Sequence, residues 1–343
     1  MNDFFITGNV MSSGNSVPRV TSELNVRDYF GAIMVRWGIN RDNYRVTPGL
    51  YAIGSPDSLS DVFITANYKL SFDTLRKNLQ GINGWILVLD TKGINVWCAA
   101  GKGTFGTKEL ITKIKSIALD KIVSHKRIIL PQLGAVGVAA HKIKEETGFN
   151  VHYGPVRASD IKKFISDGYR ADREMRKVTF NFIDRLKLIP NDFMYGKFYL
   201  LGAFALVFLI SFISRGHVVN NMDESGKGAI LNVFIAYSSG IIITPLFLPY
   251  LPGRQFSLKG FIAGLIVAFI LFHFSRTGNN IYEKIAWFTI IPVISSFMAM
   301  NFTGSSTFTS LSGVKKEMKV AVPLQIIFSV VGIILLIISK LLN

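Results

Sequence analysis

The stretch DVFITANYKLSFDTLRKNLQGINGWILVLD, residues 61–90, decides the fold of the first half of the chain. DVFIT and WILVLD are short apolar runs of strand length, so each predicts a strand. Between them, SFDTLRKNLQ predicts an amphipathic helix with Ser71 as the candidate N-cap. A strand, a helix and a second strand in this order form a βαβ unit, whose two strands lie parallel in one sheet.

The same alternation continues beyond this stretch. Predicted strands at 127–131 (RIILP) and 149–154 (FNVHYG) alternate with predicted helices at 107–118, 135–148 and 157–168. We therefore predict an α/β domain with a Rossmann-like parallel sheet. Residues 1–25 are rich in Ser, Asn and Gly, so we expect poor order at the start of this segment.

After Lys197 the chain changes to long runs without charged residues. A helix needs about 20 apolar residues to cross the hydrocarbon core of a bilayer. Buried core helices would rarely be so numerous and so poor in charge, so we predict an all-α domain of five transmembrane helices. The runs cover residues 198–214, 228–253, 260–275, 285–314 and 320–339.

The distribution of Lys and Arg predicts how the chain lies in the inner (cytoplasmic) membrane. The basic linker before the first run, and the loops after the second and fourth, hold an excess of Lys and Arg, which marks the cytoplasmic side. The N-terminal domain is then cytoplasmic, and the single cysteine agrees with a reducing compartment. The net charge of +16 fits contact with anionic lipid in the bilayer, and no nucleic-acid-binding motif accompanies it. The predicted domains are an N-terminal extension (1–50), an α/β domain (51–180), a basic linker (181–197) and a transmembrane domain (198–343).

Four loops of the α/β domain are candidates for a ligand site, because open parallel sheets bind ligands beyond the carboxyl ends of their strands. One of them contains Gly101, Gly103 and Gly106 in the G-x-G-x-x-G spacing of dinucleotide sites. That motif should follow its strand directly, yet Gly101 lies 11 residues beyond Asp90, where the predicted strand ends. The spacing therefore disfavours a nucleotide site. The four loops cover residues 65–69, 95–106, 131–137 and 154–158.

Cys98 is the only cysteine in the chain. A lone cysteine is commonly a small buried apolar residue. Here the small residues Ala99, Ala100 and Gly101 follow it, so a helical turn would present an almost bare face to a flat ligand. One thiolate does not hold a zinc or iron–sulfur site, but it can be an axial ligand of a metal held in a macrocycle. Both haem-thiolate and corrinoid sites fit that pattern.

The residues around Cys98, NVWCAAGK (95–102), resemble the HgcA-type corrinoid proteins of microbial mercury methylation. The resemblance extends over TANYKLSFDTLR (65–76), LPQLGAVGVAAH (130–141), YGPVRASDI (153–161) and MNFTGSSTFTSLSGVKKEM (300–318), and it includes the layout of a soluble domain followed by five spans. More distantly, the soluble domain is similar to the corrinoid-binding domain of the corrinoid iron–sulfur protein large subunit.

The resemblance implies a base-off corrinoid (cobalamin) with Cys98 on a short cap helix as the lower axial ligand of cobalt. The D-x-H-x-x-G motif of other corrinoid domains is absent from the sequence. Cys98 is thus both the metal ligand and the catalytic candidate, and further cofactor contacts are expected from all four loops. They are Thr65, Asn67, Ser71, Phe72, Asn95, Val96, Trp97, Ala99, Ala100, Gly101, Lys102, Thr104, Phe105, Gly106, Leu133, Gly134, Ala135, Val136, Gly137, Val138, Gly154, Pro155, Val156 and Arg157.

The implied function is a corrinoid-dependent methyltransferase that carries a methyl group on cobalt and passes it to Hg(II), forming methylmercury. The implied partners are a dicluster [4Fe–4S] ferredoxin as electron donor, since one cysteine cannot hold a cluster, and a methylated folate as methyl source. One alternative is a membrane-bound corrinoid methyl carrier of folate-linked one-carbon metabolism. Another, from a different class, is a membrane transporter with a soluble nucleotide-binding domain, which the prolines within the apolar runs favour.

Overall fold

The computed structural model describes residues 4–213, 224–278, 280–302 and 311–342. The chain divides into two compact units. The first comprises residues up to Val35 together with Ile39–Val178, and the second comprises Arg36–Gly38 and the chain from Thr179 onward. Each unit has its own apolar core, and each is described by itself.

The first unit is a seven-stranded sheet with helices on both faces. Its strands stand in the order β1-β2-β3-β5-β4-β6-β7. The strands are β1 (Ile6–Ser12), β2 (Asn15–Val20), β3 (Gly49–Ile53), β4 (Asp61–Ala66), β5 (Gly84–Leu89), β6 (Arg127–Leu130) and β7 (Asn150–Tyr153). The helices are α1 (Val26–Arg36), α2 (Lys69–Asn78), α3 (Val96–Lys102), α4 (Thr107–Ser116), α5 (Leu119–Ile122), α6 (Ala140–Thr147) and α7 (Ile161–Ser166).

Strands β5, β4, β6 and β7 pair in parallel, which confirms the predicted α/β fold. Their side chains alternate between two cores, as the two-residue period of a strand requires. On β4, for example, Val62 and Ile64 face the core that α3, α4 and α6 cover, whereas Phe63 faces the core under α2 and α7. A strand buried on both faces reads as a continuous apolar run, and this explains why residues 61–90 were so informative.

The expectation of poor order near the N-terminus is wrong for the described residues. β1 and β2 form an antiparallel hairpin, and β2 extends the sheet by pairing in parallel with β3. The turn uses Ser13 and Gly14, both with positive φ (48° and 80°). Only a few apolar side chains anchor the hairpin, among them the buried Val17 and Val20. The polar composition therefore belongs to an exposed edge hairpin.

Two further expectations need correction at helix starts. The helix predicted over 135–148 begins at Ala140, because residues 132–139 form a 3₁₀ turn and a loop against α3. The helix predicted over 157–168 opens with a 3₁₀ turn at Ala158–Asp160 before α7. The sheet is also mixed, since β3 pairs antiparallel with β5.

A buried ion cluster joins α2 to α1. Arg76, which is fully buried, donates to Asp73 at 2.8 Å and to Asp28 of α1 at 2.6 Å. Lys69 bridges the same two carboxylates at 2.6 Å. Burial alone would raise the pKa of Asp28, but hydrogen bonds from Lys69, the Asn25 amide and Arg76 hold it below its usual value. Because these charges face inward, the opposite side of α2, with Ser71 and Thr74, faces a cavity described below.

The second unit contains five helices that are long and apolar enough to cross a membrane. They overlap the five predicted runs, although the fourth ends at Asn301 and the remainder of its predicted run includes residues 303–310, which lie outside the described residues. The spans are Phe182–Ile210, Gly226–Leu246, Phe256–His273, Ile281–Asn301 and Ser312–Leu341. They are built from α8 (Phe182–Leu186), α9 (Ile189–Ile213), α10 (Glu224–Ser238), a π-helical turn (Ser239–Ile243), α11 (Thr244–Leu246), α12 (Phe256–His273), α13 (Ile281–Asn301) and α14 (Leu311–Leu341).

Candidate functional site

The short helix α3 presents the thiol of Cys98 at the surface. Asn95 caps the helix, and its side-chain oxygen accepts from the Cys98 amide at 2.9 Å. Gly103, with a φ of 81°, ends the helix in the left-handed conformation that glycine adopts most readily. Ala99 and Ala100 are buried while Cys98 is exposed, so the helix packs through its small side chains and turns its thiol outward.

Gly137 lets the neighbouring loop approach α3 closely. A side chain at Gly137 would overlap the carbonyl oxygen of Phe105 and lie 3.2 Å from the Cβ of Ala100. The loop is also tied back, because the Thr107 amide donates to the Gly137 carbonyl at 3.1 Å. By contrast, a Cβ at Gly101 would meet nothing within 4 Å. Cys98 and Gly101 lie three residues apart on a helix and share a face, so the space beside the thiol is open.

The loop leading from β5 into α3 is held by one buried amide, that of Asn67. Its Oδ1 accepts from the Thr91 amide (3.1 Å), the Thr91 hydroxyl (2.8 Å) and the Gly93 amide (2.9 Å), and its Nδ2 donates to Asp90 at 3.2 Å. Asp90 also accepts from Lys92, and this hydrogen bond holds the pKa of the Asp90 carboxyl below its usual value. Asn67 thus acts as a positioning residue for α3.

This arrangement yields a testable prediction about local stability. Replacing Asn67 with alanine removes the acceptor of the buried Thr91 amide and of the partly buried Gly93 amide, and an unsatisfied buried group costs about 1–3 kcal/mol. We expect the Thr91 and Gly93 amides to exchange with solvent roughly 10- to 100-fold faster, as measured by hydrogen exchange on the full chain. Asn78→Ala is the matched control, because Asn78 donates only to the exposed Thr74 carbonyl. Unchanged exchange in Asn67→Ala would show that the loop does not depend on this amide.

A cavity of about 360 Å³ lies beside α3 at the carboxyl ends of β4 and β6. All four candidate loops contribute to it, as the topology of a parallel sheet predicts. Its walls are largely apolar, with Thr65, Ser71 and Thr74 as hydroxyl groups. The predicted site residues that line it are Thr65, Ser71, Asn95, Val96, Trp97, Leu133, Gly154, Pro155 and Val156.

The remaining predicted residues do not line this cavity. Cys98, Gly101 and Lys102 lie on the exposed side of α3 beside it, and Val136 is 81% exposed on the neighbouring loop. Asn67, Phe72, Phe105 and Val138 are buried and support the loops from within, together with Ala99 and Ala100. Thr104, Gly106, Gly134, Ala135 and Gly137 form the junction between α3, α4 and the loop after β6, and Arg157 precedes the 3₁₀ turn before α7.

Sequence reasoning missed several wall residues, although signals for them existed. Leu70, Thr74 and Leu75 follow the first loop and share a face of α2 with Ser71, as helical spacing predicts. Pro131 and Ala158 lie inside loops that were already candidates. α2, which begins directly after the first candidate loop, therefore contributes residues of its first two turns to the cavity.

The structure also tests the glycine motif and the metal-binding capacity. Gly101, Gly103 and Gly106 connect α3 to α4, whereas a dinucleotide motif connects a strand to a helix. Within the described residues, no group of three or more His, Cys, Asp or Glu side chains could hold a metal ion. Cys98 therefore belongs to no such group in the described part of the chain.

Comparison with known proteins places the candidate site within a known type of domain. Residues 34–165 match the family model of the CO dehydrogenase/acetyl-CoA synthase delta subunit. The gamma subunit of the acetyl-CoA decarbonylase/synthase complex of Archaeoglobus fulgidus is 34% identical over 131 residues, which is 38% of this chain and 27% of the relative. The corrinoid/iron–sulfur protein large subunit of Moorella thermoacetica is 34% identical over 122 residues, covering 35% and 27% of the two chains.

These matches confirm the more distant of the two resemblances seen in the sequence. Residues 34–165 form a domain homologous to one in the corrinoid/iron–sulfur protein large subunit and in the gamma subunits. The chain spans only about a quarter of the length of these relatives, at 27% for both. All four candidate loops lie inside the matched region, whereas the five candidate membrane spans lie outside it.

Proposed function

We propose that the first unit binds a corrinoid, with Cys98 as the lower axial ligand of cobalt, and that the chain transfers a methyl group to Hg(II). One observation carries the proposal. In a domain homologous to that of a corrinoid/iron–sulfur protein, the only cysteine lies exposed on a short helix beside a cavity that the strand ends form. A corrinoid bound base-off would leave one position of cobalt open to a ligand from the protein, and the exposed thiol of Cys98 can supply that ligand.

The residues of the site fit such a cofactor. A corrin is wide and flat, and the face of α3 that carries Cys98 is free of obstruction at Gly101. The cavity of about 360 Å³ is large enough to hold a tail that descends past the helix, and its hydroxyl groups can bond polar atoms of that tail. Asn95 and Asn67 keep the helix and its loop in place through the hydrogen bonds described above.

When bound, the corrinoid would supply the cobalt centre on which a methyl group is carried. The residues of this chain bind it and tune it. Cys98 supplies a soft, electron-rich sulfur ligand, Asn95 fixes the helical turn that holds the sulfur, and Trp97 forms one wall of the cavity. A sulfur donor favours release of the methyl group to a soft electrophile, and Hg(II) is such an electrophile.

The chain also implies an electron donor. It has one cysteine in 343 residues, and an iron–sulfur cluster normally takes several thiolates. Electrons for reducing the cobalt must therefore come from another protein, for which we propose a ferredoxin with two [4Fe–4S] clusters. A methylated folate is the proposed methyl source.

The names of the relatives support a second candidate function. They belong to acetyl-CoA decarbonylase/synthase complexes and to a corrinoid/iron–sulfur protein, and none names mercury. The chain would then be a membrane-bound methyl carrier of one-carbon metabolism, with the same corrinoid site. The transporter alternative included a nucleotide-binding domain. The glycine motif on which such a domain would depend joins two helices, whereas a dinucleotide motif joins a strand to a helix.

Cys98 allows a direct test of the proposed orientation, in which the first unit is cytoplasmic. The thiol is exposed and is the only one in the chain. We expect a membrane-impermeant maleimide to label corrinoid-free protein in inside-out vesicles and to leave it unlabelled in right-side-out vesicles. Cys98→Ser is the matched blank for the reaction. Labelling in right-side-out vesicles that equals the labelling in inside-out vesicles would contradict a cytoplasmic first unit.

The cofactor proposal is tested by the absorption spectrum of the purified full chain. We expect a corrinoid spectrum, either as isolated or after reconstitution with cobalamin, and a cobalt(II) spectrum that changes in Cys98→Thr. A colourless protein that cannot be reconstituted would overturn the proposal. If the spectrum of Cys98→Thr were identical to that of the wild type, Cys98 would not be a ligand of cobalt, although the corrinoid would still be bound.

A further inference from the structure

The second unit contains a larger cavity, which the corrinoid proposal does not use. It lies between α12, α13 and α14 and has a volume of about 980 Å³. Arg254 and Lys316 line one end, where α12 and α14 both begin, and Phe261, Leu324 and Phe328 line its walls. Its volume is at the upper end of the range for sites that hold small molecules, about 300–1,000 Å³.

The charged end of this cavity is lined by two cations, Arg254 and Lys316, and one carboxylate, Glu317. Among the described residues, neither Arg254 nor Lys316 forms an ion pair. Glu317 also lines the cavity, but its Oε1 accepts from the Ser257 amide at 2.5 Å and so caps the start of α12. Lys259, near the start of α12, already has a hydrogen-bond partner, because its Nζ donates to the Leu251 carbonyl at 2.7 Å. The described residues therefore give this end of the cavity a net positive charge, which favours an anionic ligand.

The wall between α13 and α14 contains an unsatisfied polar atom. Gln325 is 7% exposed, and its Nε2 donates to the Ser296 hydroxyl at 2.8 Å. Its Oε1 is buried without a hydrogen-bond partner in the described part of the chain. Leaving a buried acceptor unpaired costs about 1–3 kcal/mol, so such an atom in a cavity wall indicates that a ligand or its accompanying water completes the site.

We propose that this cavity binds an anionic phospholipid. The phosphate would lie between Arg254 and Lys316, and an acyl chain would follow the apolar wall of Phe261, Leu324 and Phe328. Basic pockets between membrane helices on the cytoplasmic side recognise lipid headgroups in this way. Arg254 precedes α12 and Lys316 lies near the start of α14, and both belong to the segments between spans that the sequence predicts to face the cytoplasm. The proposal concerns the second unit alone and does not depend on the corrinoid.

Native mass spectrometry of the full chain in detergent tests the proposal. With equal amounts of phosphatidylglycerol and phosphatidylcholine of the same acyl chains, we expect the phosphatidylglycerol adduct to exceed the other by about 10-fold, the effect of two charge-assisted contacts of modest strength. Replacing Arg254 and Lys316 together with glutamine is expected to remove the preference. The double variant Lys315→Gln with Lys319→Gln is the matched control, since both lysines lie on the same turns of α14 and neither lines the cavity.

A second variant tests the cavity rather than the charge. Ala321 lines the cavity, so Ala321→Trp should reduce bound phosphatidylglycerol while both cations remain. The proposal is overturned by any one of three results. These are equal loss of the lipid in the Lys315/Lys319 control, full retention in Ala321→Trp, and displacement by millimolar inorganic phosphate, which would indicate a phosphate site without lipid. Thermal melting in the same detergent shows whether each variant is folded.

Discussion

Replacing Cys98 with alanine is expected to lower methylmercury formation by roughly 100-fold or more, because alanine offers cobalt no axial ligand. The fold should be unaffected, since the side chain is exposed and its amide remains capped by Asn95. The measurement is methylmercury produced from added Hg(II) by cells that express each variant with the ferredoxin partner.

Two controls accompany this measurement. Thr112→Ala, an exposed position on α4, controls for expression and should retain full activity. Bound corrinoid in Cys98→Ala should remain within about 10-fold of the wild type, because the cavity also holds the cofactor. Full methylmercury formation by Cys98→Ala would show that the sulfur has no part in the transfer.

Filling the cavity with a large side chain at Ser71 is expected to displace the corrinoid. Ser71 is half-buried in the cavity wall on α2, so a tryptophan there occupies the space while the helix keeps its packing through Phe72 and Leu75. Overpacking of this kind costs about 1–3 kcal/mol, or roughly 5- to 150-fold in affinity. We expect cobalamin to bind Ser71→Trp weakly or not at all in an absorption titration.

Lys77→Trp is the matched control for that variant. Lys77 lies on the same helix, is exposed and does not line the cavity, so cobalamin should bind this variant as it binds the wild type. Equal binding by Ser71→Trp and the wild type would mean that the cofactor does not enter the cavity, and that it contacts only the exposed face of α3.

The parallel core of the fold could be predicted because its strands are buried on both faces. Residues 62–64 in β4 and 85–89 in β5 are short apolar runs, and their strand length together with the helical pattern between them predicts two parallel strands. The β1–β2 hairpin could not be found in the same way, since its position depends on pairing with β3, about 30 residues further along the chain. Local composition carries no information about such a distant partner.

The candidate site was partly accessible from the sequence for a similar reason. The loops at the strand ends follow from the topology, so Thr65, Trp97 and Pro155 could be named in advance. Which loop residues face the cavity depends on tertiary packing, and Phe105 shows this clearly. It was expected to contact the ligand, yet it is fully buried and packs against Gly134. Its contact with a cofactor stays a prediction.

The most direct measurement of the central claim is methylmercury formation in a host that does not methylate mercury. The chain is expressed anaerobically with a dicluster ferredoxin, and isotopically labelled Hg(II) is supplied. The account predicts labelled methylmercury with the wild type and background levels with Cys98→Ala. Background levels with the wild type, in cells whose purified protein carries a bound corrinoid, would contradict transfer to mercury and leave the one-carbon methyl carrier as the function.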